Sequence, residues 1–268
     1  MSSPFVENNM KVCSFNVNSI RARIDLILSW LEHRSNDIDI LCFQEIKTVD
    51  EGFPFEDFTK LGYECLVFGQ KAYNGVAICT KINPESSSKG FGKDIWDEQK
   101  RIISAKINGI DIINIYAPRG GLPGEDKFNY KQDWYLVLME YLNAHHSPKD
   151  PLIILGDFNV AHEDIDVFSP DMMAGSISVL PEERAAFNRL RNWSFMDAFR
   201  YLHPEKSQFT WWDYREGAIW KDQGLRLDYI LCTETLRKNL KFIDVDLWPR
   251  KRRKPTPSDH APLIAEFK

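Results

Sequence analysis

Leu152-Ile153-Ile154-Leu155-Gly156-Asp157-Phe158-Asn159 decides how this chain is read. Four aliphatic residues in a row fit a strand buried on both faces, and the run ends in Gly-Asp-x-Asn. Layered α/β proteins gather ligands beyond the carboxyl ends of their strands. Side chains two apart on extended backbone point to the same side. Asp157 and Asn159 would therefore set a charged proton acceptor beside an amide that can orient water or hold a phosphate oxygen. An Asx turn closing a strand would use the same residues, so the flanking sequence has to decide between the two.

Upstream of this run, Ile110 to Tyr116 reads as a strand that forms a hairpin with Arg101 to Ile107 around the turn dipeptide Asn108-Gly109. It ends in Tyr116-Ala117-Pro118-Arg119. The spacing of Tyr135, Leu138, Met139 and Leu142 predicts a helix over 126–145. Nearer the N-terminus, strands over 10–17 and 39–43 enclose a helix whose apolar face is Ile20, Ile24, Ile27, Leu28 and Leu31, with Ser19 as its cap. Two strands, 63–68 and 75–80, read as antiparallel, and 86–92 as a polar loop. Downstream come a loop over 161–180 and a helix opened by Pro181, Glu182 and Glu183. The last strands are expected over 210–214, 227–232, 242–247 and 263–267. No linker or low-complexity segment interrupts this alternation, which predicts a flexible tail over 1–9 and a single α/β domain over 10–268. Phe15-Asn16-Val17 and Phe158-Asn159-Val160 echo each other after apolar strands, as two similar sheets packed face to face would require.

Composition narrows the function. With 43% hydrophobic and 27% charged residues, the 268-residue chain is of ordinary soluble, globular type. Its net charge of −5 gives no global attraction for nucleic acid, so any such contact must be local. The polar N-terminus does not look like a signal peptide, and no apolar run approaches membrane-spanning length. Cys13, Cys42, Cys65, Cys79 and Cys232 lie in strand-like runs without CxxC spacing, so buried free thiols in a reducing cytosol are expected. Neither a GxSxG nor a phosphate-binding P-loop is present.

Polar residues recur at strand ends: Asn16, Glu45, Tyr116, Asp157, Asn159, Asp228 and the pair Asp259-His260. Glu45 is a hard oxygen ligand suited to Mg²⁺ or Mn²⁺. Asp157 can take a proton from water, and His260 can hold a phosphate oxygen, with Asp228 fixing its tautomer. Tyr116 and the amides are donors. This set suits hydrolysis of a phosphate ester. Arg250-Lys-Arg-Arg-Lys254 brings positive charge a few residues from His260, where it can meet a phosphate backbone. In Thr210-Trp-Trp-Asp-Tyr-Arg215 adjacent tryptophans point to opposite faces, one into the core and one free to stack on a nucleotide or sugar, unless both are core.

Ser14–Arg23 (SFNVNSIRAR), Gln44-Glu-Ile-Lys47, Tyr116-Ala-Pro118, Gly156-Asp-Phe-Asn-Val160, Trp211-Trp-Asp-Tyr-Arg215, Gly224-Leu-Arg-Leu-Asp228 and Ser258-Asp-His260 resemble the exonuclease III family of abasic-site endonucleases, in that family's order. Gly-Asp-x-Asn and Ser-Asp-His occur across the wider endonuclease/exonuclease/phosphatase superfamily; the tryptophan and Gly-Leu-Arg-Leu-Asp motifs are similar to the DNA-repair branch. The resemblance implies a four-layer α/β sandwich of two packed mixed β-sheets flanked by helices. It implies a cytoplasmic, monomeric, Mg²⁺-dependent phosphodiesterase, with Mn²⁺ able to substitute, acting on double-stranded DNA. Such enzymes cut 5′ to abasic sites, and many trim 3′ ends or remove 3′ blocks. Carried over, Glu45, Asn16 and Asp259 would hold the metal. Asp157, Asn159, His260, Asp228 and Tyr116 would be catalytic. Trp211, Leu225 and Leu227 would line a pocket for a flipped-out deoxyribose, and Arg119, Arg215, Lys251, Arg252 and Arg253 would touch substrate. Arg119 departs from the Asn or Gln often found after Tyr-x-Pro, and Asn18 from an Asp in some relatives. A phosphatase of the same superfamily acting on a small ester, and a DNA-binding module on an inactive nuclease fold, are the alternatives.

Overall fold

The computed structural model describes residues 9–268; apart from Asn9, the expected N-terminal tail lies outside the described residues. In chain order the strands are β1 (Met10–Asn16), β2 (Ile40–Gln44), β3 (Glu64–Phe68), β4 (Val76–Thr80), β5 (Ser86–Lys89), β6 (Ile102–Ile107), β7 (Ile110–Tyr116), β8 (Leu152–Asp157), β9 (Phe195–Asp197), β10 (Trp211–Trp212), β11 (Gly224–Leu225), β12 (Asp228–Thr233), β13 (Leu240–Val245) and β14 (Leu263–Phe267). The helices are α1 (Ile20–His33), α2 (Phe55–Lys60), α3 (Asp94–Asp97), α4 (Asp126–His145), α5 (Pro170–Met173), α6 (Pro181–Asn192) and α7 (Ala198–Leu202).

Two six-stranded sheets result, ordered β13-β14-β1-β2-β4-β3 and β5-β6-β7-β8-β12-β9, with β10 and β11 as a separate ribbon. Each large sheet has one parallel pair at its centre, β1 with β2 and β7 with β8, among antiparallel neighbours. Alternation along each central strand builds the layers. In β8, Ile153 and Leu155 face the other sheet, where they join Val12, Ile40 and Cys42. Leu152 and Ile154 face outward onto Trp134, Leu138 and Leu142 of α4 and Phe187 and Leu190 of α6. In β1 and β2, Phe15, Leu41 and Phe43 face Ile27, Trp30 and Leu31 of α1. Both faces of β2 and β8 are covered, which is why Ile40–Phe43 and Leu152–Leu155 are continuously apolar. The result is the four-layer sandwich expected from the resemblance. No helix among the described residues is long and apolar enough to cross a membrane.

Several expectations are corrected. The segment expected as a polar loop contains β5, an exposed edge strand registered from Ser86 opposite Lys106 to Lys89 opposite Ile103. With neither face buried, Ser-Ser-Ser-Lys carries no apolar signal. The strand expected over 210–214 is only two residues long. The cysteines are not all free: antiparallel pairing sets Cys65 directly opposite Cys79, and the two form a disulfide. Cys13, Cys42 and Cys232 are buried free thiols.

Candidate active site

The carboxyl ends of β1, β2, β7 and β8 meet at one rim of the sandwich, joined there by the entries to the antiparallel strands β12 and β14. The Phe-Asn-Val echo is thus a correspondence of place: Asn16 ends a central strand of one sheet and Asn159 follows a central strand of the other. Asn16 Nδ2 donates to Glu45 Oε1 beyond the neighbouring strand of its own sheet and, across the gap between sheets, to Asp157 Oδ2, both at 2.9 Å. The loops beyond the strands turn sharply. Asn18, Glu45, Lys47 and Asn159 all have left-handed backbone, φ between 45° and 54°. Such conformations cost on the order of 1–3 kcal/mol each and cluster at functional sites. Gly156 has φ 140°, and a Cβ there would lie 1.9 Å from the carbonyl oxygen of Ile115 on β7. Glycine thus lets the two parallel strands that carry Tyr116 and Asp157 close up.

Asp157 is 1% exposed and is held on both oxygens. Oδ1 accepts the backbone N–H of Asn159 at 2.9 Å, and Oδ2 lies 3.7 Å from His260 Nε2. The other ring nitrogen, Nδ1, is 2.8 Å from Asp228 Oδ2. Asp228 is itself placed by its N–H and that of Leu227, both donating to Thr210 Oγ1. Burial would push the His260 imidazole toward neutrality, but Asp228 and Asp157 outweigh it and raise its pKa to about 10. Burial raises Asp157 to about 7, aided by Asp228 and Glu45 and opposed by His260. Glu45 is also desolvated, yet Lys47, 2.8 Å from Oε2, and the Asn16 amide hold its carboxyl below the usual range. Burial, with Glu45 and Asp157 nearby, keeps the Tyr116 phenol protonated far above neutrality.

Ligand atoms of Glu45, Asp157 and His260 all lie within 4.8 Å of one another. The two carboxylates are hard oxygen donors that fit a divalent cation, while His260, held protonated beside them, is placed to meet an anion. Of the expected ligands Glu45, Asn16 and Asp259, Glu45 belongs to this grouping, Asn16 donates to both of its carboxylates, and Asp259 lines the same cavity. Asn16 turns its amide nitrogen to the carboxylates and gives its oxygen to the Asn18 N–H. Asp259 is occupied by Asn18 Nδ2 and Trp211 Nε1, each at 3.0 Å.

The polar cluster opens into a cavity of about 510 Å³ walled by Trp211, Leu225, Leu227, Met173 and the segment 175–178, with Arg119 at its edge. Trp212, on the opposite face, is fully buried. Arg215 lies in an adjoining pocket, largely exposed and paired with Asp213 at 2.7 Å. The basic run divides. Arg250 is 5% exposed and donates to the carbonyls of Trp212 and Asp259, so it braces the site instead of meeting a phosphate backbone with the rest of its run. Lys251, Arg252, Arg253 and Lys254 are exposed, with Arg252 stacked over Trp248.

Three positioning groups had no role in the sequence reading: Lys47 on Glu45, Ser258 whose hydroxyl donates to the Asn16 carbonyl at 2.7 Å, and Lys131, buried beneath Asn159. Lys47 stood within the Gln44-Glu-Ile-Lys47 motif and Ser258 within Ser258-Asp-His260, the available signals; Lys131 stood in none.

Residues 13–260 match the Endonuclease/Exonuclease/phosphatase family. The chain is 38% identical to exodeoxyribonuclease III of Haemophilus influenzae over 97% of its own length and 100% of that protein. Its fold is similar to an AP endonuclease from Archaeoglobus fulgidus (TM-score 0.91, 40% identity, 97% and 99% of the two chains). It is also similar to a 3′ phosphatase from Neisseria bound to a product DNA hairpin (TM-score 0.90, 35% identity, 97% and 99%). The chain belongs to the Endonuclease/Exonuclease/phosphatase family, and within it this is an enzyme of the nuclease kind.

Proposed function

We propose that the protein is a Mg²⁺-dependent DNA-repair phosphodiesterase of exodeoxyribonuclease III type, cutting duplex DNA 5′ to abasic sites and clearing 3′ ends. The observation that carries this reading is the meeting of Glu45, Asp157 and His260 at the mouth of a cavity with an aromatic and aliphatic wall. Hydrolysis needs a water deprotonated, a phosphate charge stabilised and a 3′ oxygen released. Asp157, fixed by Asn16 and Asn159, accepts the proton of the attacking water. His260, held by Asp228, faces the phosphate and steadies its growing negative charge. Tyr116, a protonated donor, hydrogen-bonds the phosphate or the leaving oxygen. Glu45 leads the groups that would hold the cation, whose chemistry is to neutralise phosphate charge as a Lewis acid. Trp211, Leu225 and Leu227 enclose a sugar that lacks its base, and Arg119, Arg215, Lys251, Arg252 and Arg253 contact the strands around it. Monomeric action in the cytoplasm, as the family resemblance implies, completes the reading.

The test is incubation with an abasic duplex, an undamaged recessed 3′ end and a small phosphate ester. Cleavage of the abasic duplex should stop in excess chelator and return with Mg²⁺ or Mn²⁺ but not Ca²⁺ alone. Full cleavage in chelator would remove the metal from the mechanism. Hydrolysis of the small ester alone would make the protein a phosphatase.

A further inference from the structure

Lys131 lies in the second turn of α4, and its side chain is wholly shielded from solvent, as is that of Glu183 on α6. Its ammonium meets three acceptors: Glu183 Oε1 at 2.6 Å, the Asn159 carbonyl at 2.7 Å and the Arg119 carbonyl at 3.2 Å. The second Glu183 oxygen accepts the N–H of Leu180 at 3.2 Å, just past the cavity wall. The Ser178 carbonyl, in that wall, accepts the N–H of Ala161. One ion pair therefore ties together the loop after β8 that carries Asn159, the loop after β7 that carries Arg119, and the segment that closes the cavity. Gly120 makes room for it, because a Cβ there would meet Lys131 Cδ at 2.7 Å.

The pair is a poor stability device. Burial outweighs the attraction even at this distance: the Glu183 carboxyl sits above its usual range, and burial draws the Lys131 ammonium below its own. Buried pairs replaced by apolar residues are often neutral or better. What an apolar replacement cannot do is donate to two loop carbonyls.

We propose that Lys131 and Glu183 are positioning residues that set the spacing of the three loops lining the site, and with it the discrimination between an abasic site and an ordinary 3′ end. The inference rests on the proposed reading of the cavity as the abasic-sugar pocket. It is tested with the double variant Lys131→Met/Glu183→Gln, which leaves no unpaired charge, and with the milder Glu183→Gln, which keeps the side chain's shape but removes the charge that holds the lysine. The readouts are thermal melting and kcat/KM on an abasic duplex and on an undamaged recessed 3′ end. Loss of folded protein scales both rates equally and leaves their ratio unchanged. Displaced loops should shift the ratio by about fivefold or more and raise KM for the abasic duplex, with Lys131→Arg restoring part of the preference. A parent ratio in both the folded double variant and Glu183→Gln would overturn the inference; if the double variant does not fold, Glu183→Gln alone decides. A parent enzyme with no abasic activity would instead sink the reading on which it rests.

Discussion

Asp157 is where the chemistry narrows to one atom pair. Asp157→Asn keeps the size and the hydrogen bond from the Asn159 N–H but removes the charge that accepts a proton. General-base steps contribute on the order of 10²–10⁴-fold, so kcat should drop by about that much while abasic DNA still binds; near-normal turnover would refute the role. One residue back, Gly156→Ala should act on stability instead. Its Cβ would collide with the Ile115 carbonyl, and over-packing at such points costs about 1–3 kcal/mol, read as a lowered melting temperature. Which residues were legible follows from chemistry. Glu45, Asp157 and His260 stood out because polar groups at the ends of buried strands are conspicuous against an apolar run. Lys131 did not, because a lysine at helical spacing reads as solvent-facing. Only the packing of α4 on α6 turns it inward onto Glu183. Arg250 failed in the opposite direction: in a run of five basic residues nothing marks the one whose guanidinium folds back under the site.

The segment Gly224-Leu-Arg-Leu-Asp228 shows the same logic for an element. Alternation sends Leu225 and Leu227 to the cavity and Arg226 to the interior, where it is fully buried. Asp166 binds its guanidinium twice, at 2.8 and 3.0 Å, and Asp197 lies 2.8 Å away. Its planar group also sits 4.3 Å from the Tyr229 ring centroid. Arg226→Met should cost about 3–5 kcal/mol, since the buried Asp197 carboxylate loses its cation and Asp166 is left with Arg200 alone. Burial opposes ionisation of Asp166, but Arg226 and Arg200 overcome it and depress its pKa. A depressed carboxyl contributes stability above the unfolded value, about 3.9 for Asp. That contribution is lost as pH falls through the folded value. Melting scans from pH 6 to pH 2 should show a steep acid limb in the parent and a shallower one in Asp166→Asn; parallel limbs would mean the network does not govern acid unfolding. The two leucines could be read from the motif, whereas Arg226 required knowing that the 164–166 turn packs behind it. The same dependence on register hid β5 and the Cys65–Cys79 bridge, because no residue type announces which strand positions stand opposite.

At the scale of the molecule, electrostatics has to be arranged against the sum. A chain of net charge −5 repels a polyanion unless cations are gathered on the approach to the site. Lys251, Arg252, Arg253 and Lys254 are exposed in the loop that Arg250 anchors to the Trp212 and Asp259 carbonyls, so their charge is held at the rim. The stack of Arg252 on Trp248 makes it the least suitable of the four to replace, so the variant is Lys251→Ser/Arg253→Ser/Lys254→Ser. It should bind damaged and intact duplex more weakly by similar factors. The slope of log affinity against log salt should fall by roughly 0.9 for each phosphate that the loop no longer neutralises. Trp211→Ala makes the contrasting perturbation. It removes a cavity wall and the hydrogen bond to Asp259 without changing charge, so preference for the abasic site should fall while the salt slope holds. Trp211 is only half-buried, which keeps its structural cost below the roughly 3–5 kcal/mol of a core tryptophan, and a melting scan separates the two effects. An unchanged salt slope in the triple variant would leave the loop as a solvated surface. Full abasic preference in a well-folded Trp211→Ala would move the recognition of the sugar onto Leu225 and Leu227.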